Sequence, residues 1–208
     1  MDTLTNIARL KELIDSHISN WHKKDEYKDY TIVADKLSEN HKFMILALNI
    51  LESNYKLWHL EDVARDPVAQ DNIIADIKRK IDKENQLRND KIEQLDTEID
   101  KYLKLSDITP NTDEFNSETP GSIIDRITIY SLKIYHMLEQ TERKDASKEH
   151  IETCKNKLEI LKRQREDLLI SLKRLITDLL NGEKIHKVYF QFKMYNDPKL
   201  NPAIYLKQ

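Results

Sequence analysis

Residues 151–179, IETCKNKLEILKRQREDLLISLKRLITDL, set apolar groups at Ile151, Cys154, Leu158, Leu161, Leu168, Leu172, Leu175 and Leu179. The steps alternate three and four, the spacing that turns one face of an α-helix toward a partner. Arg165 interrupts the run with a guanidinium where the register asks for an apolar side chain. A second stretch repeats the pattern at steps of seven, Ile74, Ile81, Arg88, Leu95 and Tyr102, flanked by Lys78, Asn85, Ile92 and Ile99. Two seams of this length make the fold class all-α. Their arginines raise the question of function, because a buried unpaired charge is very costly and must find an anion or water.

The remaining composition agrees with long helices. The 208 residues include two glycines and five prolines, and 34% are Asp, Glu, Lys or Arg, so few breaks separate the helical stretches. Such a length suits one domain with a substantial core. The net charge is −3, with acidic and basic residues interleaved. No basic stripe interleaved with aromatics runs along the chain, which argues against nucleic acid as a partner. Cys154 is the one cysteine and lies in the seam, so no disulfide or zinc–thiolate framework is available. Met1 to Arg9 carries Asp2 and no long apolar run. Neither a signal peptide nor a membrane span is read, and a cytoplasmic protein is expected.

A first helix is expected from Thr5 to about Trp21, on Ile7, Leu10, Leu13 or Ile14, and Ile18, with Lys23–Tyr30 as a connector. A second runs from near Val33 to Arg65 on His41, Met44, Leu48, Leu51, Tyr55 and Trp58, turning polar at Asp62 and Arg65 in the same register. Phe43, Ile50 and Leu57 lie off that seam and leave a homodimer or protein partner open. Asp66-Pro67 reads as N-cap and first position of a third helix reaching Lys104, roughly 37 residues and about 55 Å. Ser106–Thr119 is a polar loop. Thr119-Pro120 opens a fourth helix with Ile123, Ile127, Tyr130, Ile134 and Leu138 as its buried line. Lys144 and Asp145 mark the turn into the last long helix, which Gly182 ends as a left-handed cap. The expected architecture is an elongated antiparallel bundle of four to five helices over residues 1–185. Residues 186–208, with Tyr189, Phe190, Phe192, Tyr195 and Tyr205, form an extended aromatic C-terminal tail docking on it.

Three groups of polar residues are candidates for a site. Trp58, Glu61, Asp62 and Arg65 share one helical face through offsets of three, four and seven. They make either an acidic wall for a cation, metal or hydroxyl, or a surface ion pair worth little. Asp82, Asn85, Gln86, Arg88, Asn89 and Asp90 crowd two turns with planar hydrogen-bonding groups. They suit a polar layer inside the bundle, serving either a ligand or helix register. Arg165 in another seam and Asp62 in a third point to one common layer. Glu61 or Asp62 would answer one arginine, leaving the other fork for a carboxylate or phosphate from outside. The expected ligand is a small anionic metabolite, phosphorylated or nucleotide-sugar-like, with Trp58 as the apolar wall.

Metal signatures are thin. His59 and Asp62 are three apart. Glu183-x-x-His186 has the spacing of carboxylate-bridged di-iron bundles, which use two such motifs where this chain has one. Glu61, Asp62 and Asp82 are the carboxylates a magnesium ion would use beside a phosphorylated substrate. A magnesium-dependent hydrolase or transferase is therefore one alternative, and a scaffold whose polar layer only sets register is another. No glycine-rich phosphate loop, serine elbow or Cys–His arrangement occurs, so the sequence assigns no catalytic nucleophile and no cofactor.

Four longer motifs, LWHLEDVAR at 57–65, KRKIDKENQLRND at 78–90, ETPGSIIDR at 118–126 and QFKMYNDP at 191–198, resemble in that order an uncharacterised bacterial all-helical domain family of unknown function. The resemblance spans nearly the whole chain and implies an all-helical fold with no catalytic assignment. Members occur near genes for cell-envelope sugar transfer, which implies a link to sugar metabolism. The motifs add Asp125, Arg126 and the tail's Lys193, Asn196 and Asp197 as candidates.

Overall fold

The computed structural model describes residues 6–24, 39–192, 194 and 197–206. Lys193, Tyr195, Asn196 and the His41 side chain lie outside what is described. The helices are α1 (Ile7–Lys24), α2 (Glu39–Ala64), α3 (Asp71–Leu105), α4 (Pro120–Thr141), α5 (Lys148–Leu180) and the single turn α6 (Pro202–Tyr205). Among the described residues there is no strand, only an isolated parallel bridge between Phe115 and Ile185. No described helix is long and apolar enough to cross a membrane. The chain is an all-α bundle.

Local chemistry sets most helix ends. Thr119 accepts a hydrogen bond from the Ser122 N–H (3.1 Å) and Pro120 takes the first helical position, so α4 begins where its N–H groups are already answered. Ser147 caps α5 through the His150 N–H at 3.1 Å, a few residues beyond Lys144 and Asp145. Gly182 closes that helix at φ 70°, and a Cβ there would stand 2.9 Å from the Thr109 carbonyl oxygen. Asp66-Pro67 does not start a helix. The Asp66 carboxylate accepts from the Val68 N–H (3.0 Å) within a turn, and α3 begins four residues later after Gln70.

Helix direction follows from the long-range contacts. Lys42 meets Glu98 at 2.5 Å and Arg88 meets Asn54 at 3.3 Å, so α3 runs back along α2. Arg165 on α5 reaches both Asp15 on α1 (2.6 Å) and Ser131 on α4 (3.1 Å). Asn54 lies beside Asp125 and Thr128, and one turn further Trp58 and His59 lie beside His136. Helices α1, α2 and α4 therefore run the same way, and α3 and α5 run against them. The antiparallel arrangement expected throughout holds for neighbours joined by short turns, but α1 and α2 are parallel.

The core sits around α2. Phe43 through Leu48, Ile50, Leu51, Tyr55 and Leu57 are buried, on every side of that helix. Phe43, Ile50 and Leu57, off the expected seam, are covered by the chain's own helices. On α5 Cys154, Leu158, Arg165, Leu168, Leu172, Leu175 and Leu179 are buried as read, and Ile151 and Leu161 of the same seam are half-buried. On α4 the buried line is Ile123, Ile124, Ile127, Thr128, Ser131 and Leu132, and Leu138 is exposed.

At the other end of the bundle the first turn of α4 sits on Asp96 of α3. Asp96 is 2% exposed and accepts from the Thr119 hydroxyl (2.5 Å) and the Gly121 N–H (2.7 Å). A carboxylate at a helix N-terminus is favoured by the dipole, but burial outweighs these bonds and raises its pKa above the usual Asp value. The tail meets the same place: His186 donates through Nε2 to the Asp96 carbonyl (2.9 Å), and the Gln191 N–H donates to Glu93 (2.8 Å). The aromatic rings expected to dock are exposed at Tyr189, Phe190, Phe192 and Tyr205. Lys187 adds a contact over the Phe115 ring at 3.3 Å, and Val188 is half-buried.

Candidate metal centre

The polar residues expected to form one layer fall into separate groups. Arg65 pairs with Glu61 one turn away on the exposed end of α2, and Lys78 pairs with Asp82 in the same way on α3. Gln86 bonds Asp90. Asn85 is half-buried and Asn89 buried along α3. Arg126 pairs with Glu118 on the surface at 2.6 Å. Asp197 accepts from the Lys199 N–H in a turn of the tail.

Arg88 and Asp125 do come together, with Nε 3.8 Å from Oδ1. Asn54, which sequence reasoning missed, ties them: its oxygen accepts from Arg88 (3.3 Å) and its amide donates to Asp125 (2.7 Å) and Thr128 (2.8 Å). Arg165 lies elsewhere, answered by Asp15 and Ser131. Each arginine has its own partners, and Glu61 and Asp62 serve neither.

Burial raises the Asp125 pKa in spite of Arg88 and Asn54. Arg88→Met would strand that carboxylate and cost about 1–2 kcal/mol at neutral pH, less than a fully buried pair because both groups keep some solvent. A carboxyl whose pKa is higher folded than unfolded loses stability as pH rises through the folded value, and without Arg88 that value rises further. The deficit in urea melts should be small near about pH 4 and full near about pH 8. A deficit independent of pH would show that Asp125 is not the stranded group.

The parallel run of α1, α2 and α4 builds something the polar layer does not. His22, His59 and His136 each bring one ring nitrogen within 4.8 Å of the others. All three lie near the C-terminal ends of their helices, and all are half-buried. Among the described residues this is the group of three or more His, Cys, Asp or Glu side chains placed to hold a metal ion. Glu61, Asp62 and Asp82, the carboxylates expected for magnesium, form no such group.

The outer nitrogens are held. His22 Nδ1 lies 2.8 Å from the Ile18 carbonyl, and His136 Nδ1 lies 2.8 Å from the Glu139 carboxylate. His59 Nδ1 lies 3.8 Å from Asp62. A carbonyl or carboxylate at Nδ1 keeps the proton there and leaves the Nε2 lone pair for a ligand. The Nε2 atoms of His22 and His136 are buried without a hydrogen-bond partner among the described residues. Desolvation, joined by the neighbouring imidazoles, lowers the pKa of His22 and of His59, which favours the neutral rings a metal needs.

Aromatic rings fix the imidazoles in place. Tyr135 stacks on His22 at 4.1 Å between centroids, and Trp58 stacks on His136 at 4.6 Å and 9° between planes. Tyr55 packs edge-on against His22 (4.9 Å) and His59 (4.6 Å), and Trp21 closes on Tyr55 at 5.0 Å. Of the expected site residues, Trp58 and Asp62 thus belong here, as a wall and as a neighbour of His59.

His22 and His136 went unread in the sequence, although a signal was there. Three of the seven histidines directly follow an aromatic residue: Trp21-His22, Trp58-His59 and Tyr135-His136. Adjacent residues on a helix point about 100° apart, so such a dipeptide turns its aromatic ring toward the core while swinging the imidazole to the next sector.

No curated protein and no solved structure matches the chain. A family model described as a protein of unknown function, DUF4254, matches residues 44–188, which run from early α2 through α5 and include His59 and His136 but not His22. That match covers well over half of the sequence, and the chain belongs to the DUF4254 family.

Proposed function

We propose that this chain is a cytoplasmic metal-binding protein that holds one zinc-class divalent ion on His22, His59 and His136 and leaves a coordination position open. The observation that carries the reading is the convergence of three imidazole nitrogens from three helices, two of them with Nδ1 already bonded to an outer acceptor. Nitrogen donors suit zinc and its transition-metal neighbours, whereas magnesium and calcium want oxygen. Metal–nitrogen bonds of about 2.0–2.1 Å set the ligand atoms roughly 3.4 Å apart. The nitrogens stand within 4.8 Å of one another, so closure on an ion asks for at most about 1.4 Å of approach between any two.

Three protein ligands and a free position are the arrangement of catalytic rather than structural zinc, in which bound water ionises near about pH 7. An ion held by His22, His59 and His136 would supply Lewis acidity and a more acidic bound water, chemistry that suits hydrolysis of an ester or phosphoester. The small anionic metabolite expected from the sequence stays within the proposal, as the molecule acted on.

The test is a cobalt(II) titration of the chelator-treated chain of 208 residues. One equivalent should bring up the intense visible bands of four- or five-coordinate cobalt, and zinc should then displace it. Only the pale spectrum of hydrated cobalt, with no saturable uptake of zinc by calorimetry, would sink the reading.

A further inference from the structure

A cleft of about 400 Å³ opens between α4 and α5 directly against the histidine centre, with His136 and Trp58 in its lining. Its other walls are Met137, Ile160 and Leu161, and Lys133, Lys157 and Gln140 are its polar groups. Its volume falls in the range of small-molecule sites and its lining is largely apolar, and it lies open to solvent on one side. The two lysines set its chemistry. Neither has a carboxylate partner among the described residues, so both ammonium charges are open to an anion. Lys133 lies over the Tyr130 ring at 5.1 Å, which positions the ammonium without neutralising it.

We infer that this cleft is the substrate seat of the histidine centre and takes an organic anion with a flat apolar body. The body lies against Trp58, Met137, Ile160 and Leu161, and the anionic group is met by Lys133 and Lys157. This rests on the metal reading above, because His136 is the residue common to ion and cleft. Charge complementarity chooses the occupant: an anion gains the attraction of two ammonium groups, a neutral molecule gains none of it, and a cation is repelled. An apolar segment of another protein would need a longer surface than eight lining residues provide.

The experiment uses the full chain with naphthalene-1-sulfonate and, as its neutral match, 1-naphthalenemethanol. Calorimetry on zinc-loaded protein should find the sulfonate bound at least tenfold more tightly. Lys133→Met and Lys157→Met should each remove most of that preference while leaving the alcohol's affinity unchanged, and both variants sit on exposed positions that the fold does not need. In cobalt-loaded protein the sulfonate should also shift the visible bands, as it enters beside the metal. Equal affinities for the two compounds, or lysine variants that keep the preference, overturn the proposal. A sulfonate bound with the expected preference but without any change in the cobalt bands overturns it too, since the cleft would then not serve the centre. Failure of the metal reading is separately visible, as no cobalt bands before any sulfonate is added.

Discussion

His136→Ala should weaken zinc binding by at least about a thousandfold, some 4 kcal/mol, and His22→Ala and His59→Ala should do the same. The magnitude follows from ligand count. With two imidazoles left the ion loses a third of its protein donors, and the rest must bind it against water. The outer shell gives a graded control. Glu139→Gln keeps a hydrogen-bonding group 2.8 Å from His136 Nδ1 but removes its charge, and should cost about 10–100-fold. Asp62→Asn should cost less, because Asp62 is exposed and stands 3.8 Å from His59. His150→Ala, an exposed histidine beside Cys154 at 3.4 Å, should leave zinc binding unchanged. Thermal melts read the same hierarchy. Zinc at about a hundred times its dissociation constant stabilises by about 2.7 kcal/mol, hence about 5–10 °C in a chain of this length. That increment should vanish in the three alanine variants and persist in His150→Ala. Were His136→Ala to bind zinc as tightly as the parent chain, the three rings would be an aromatic cluster and not a ligand set.

What the sequence made legible was whatever is decided within one helix. The α5 seam, the Thr119-Pro120 start and the Gly182 stop are local matters of periodicity, capping and positive φ, and all appear where they were expected. Asp66-Pro67 misled for a local reason too, since the same Asp that caps a helix also closes a turn. The site was hidden because it depends on distance in sequence. Arg165 is satisfied by Asp15, 150 residues away, and Arg88 by Asn54 and Asp125. Heptad register could place both arginines in seams but could not say which helix faces which. The centre depended further on helix direction. Residues 25–38 are long enough to connect α1 and α2 in either sense, and only the parallel sense brings His22 to His59 and His136. An antiparallel α1 would have carried His22 to the opposite end.

Gly121→Ala should lower stability by about 3 kcal/mol, or about 6–12 °C in a melt without metal, combining overpacking with the loss of a buried hydrogen bond. A methyl at this position would lie 2.8 and 2.9 Å from the two Asp96 carboxylate oxygens and 2.9 Å from the Ile92 carbonyl oxygen. None of these can yield cheaply. The carboxylate is fixed by the Thr119 hydroxyl and by the Gly121 N–H itself, and the Ile92 oxygen is part of α3. The first turn of α4 must therefore lift away, and lifting it breaks the Gly121 bond to a carboxylate whose burial already disfavours its charge. Adding Asp96→Ala removes two of the three close contacts, so the double variant should be more stable than the sum of the single losses predicts, by about 1 kcal/mol. The effect should also reach the centre. His136 rides on the same helix four turns further on, and a tilted α4 would spread the imidazoles, so zinc affinity should fall although Gly121 touches no ligand. A Gly121→Ala chain that melts within about 2 °C of the parent would mean α4 is free to shift on α3, and the close approach at Asp96 would not be what sets its position.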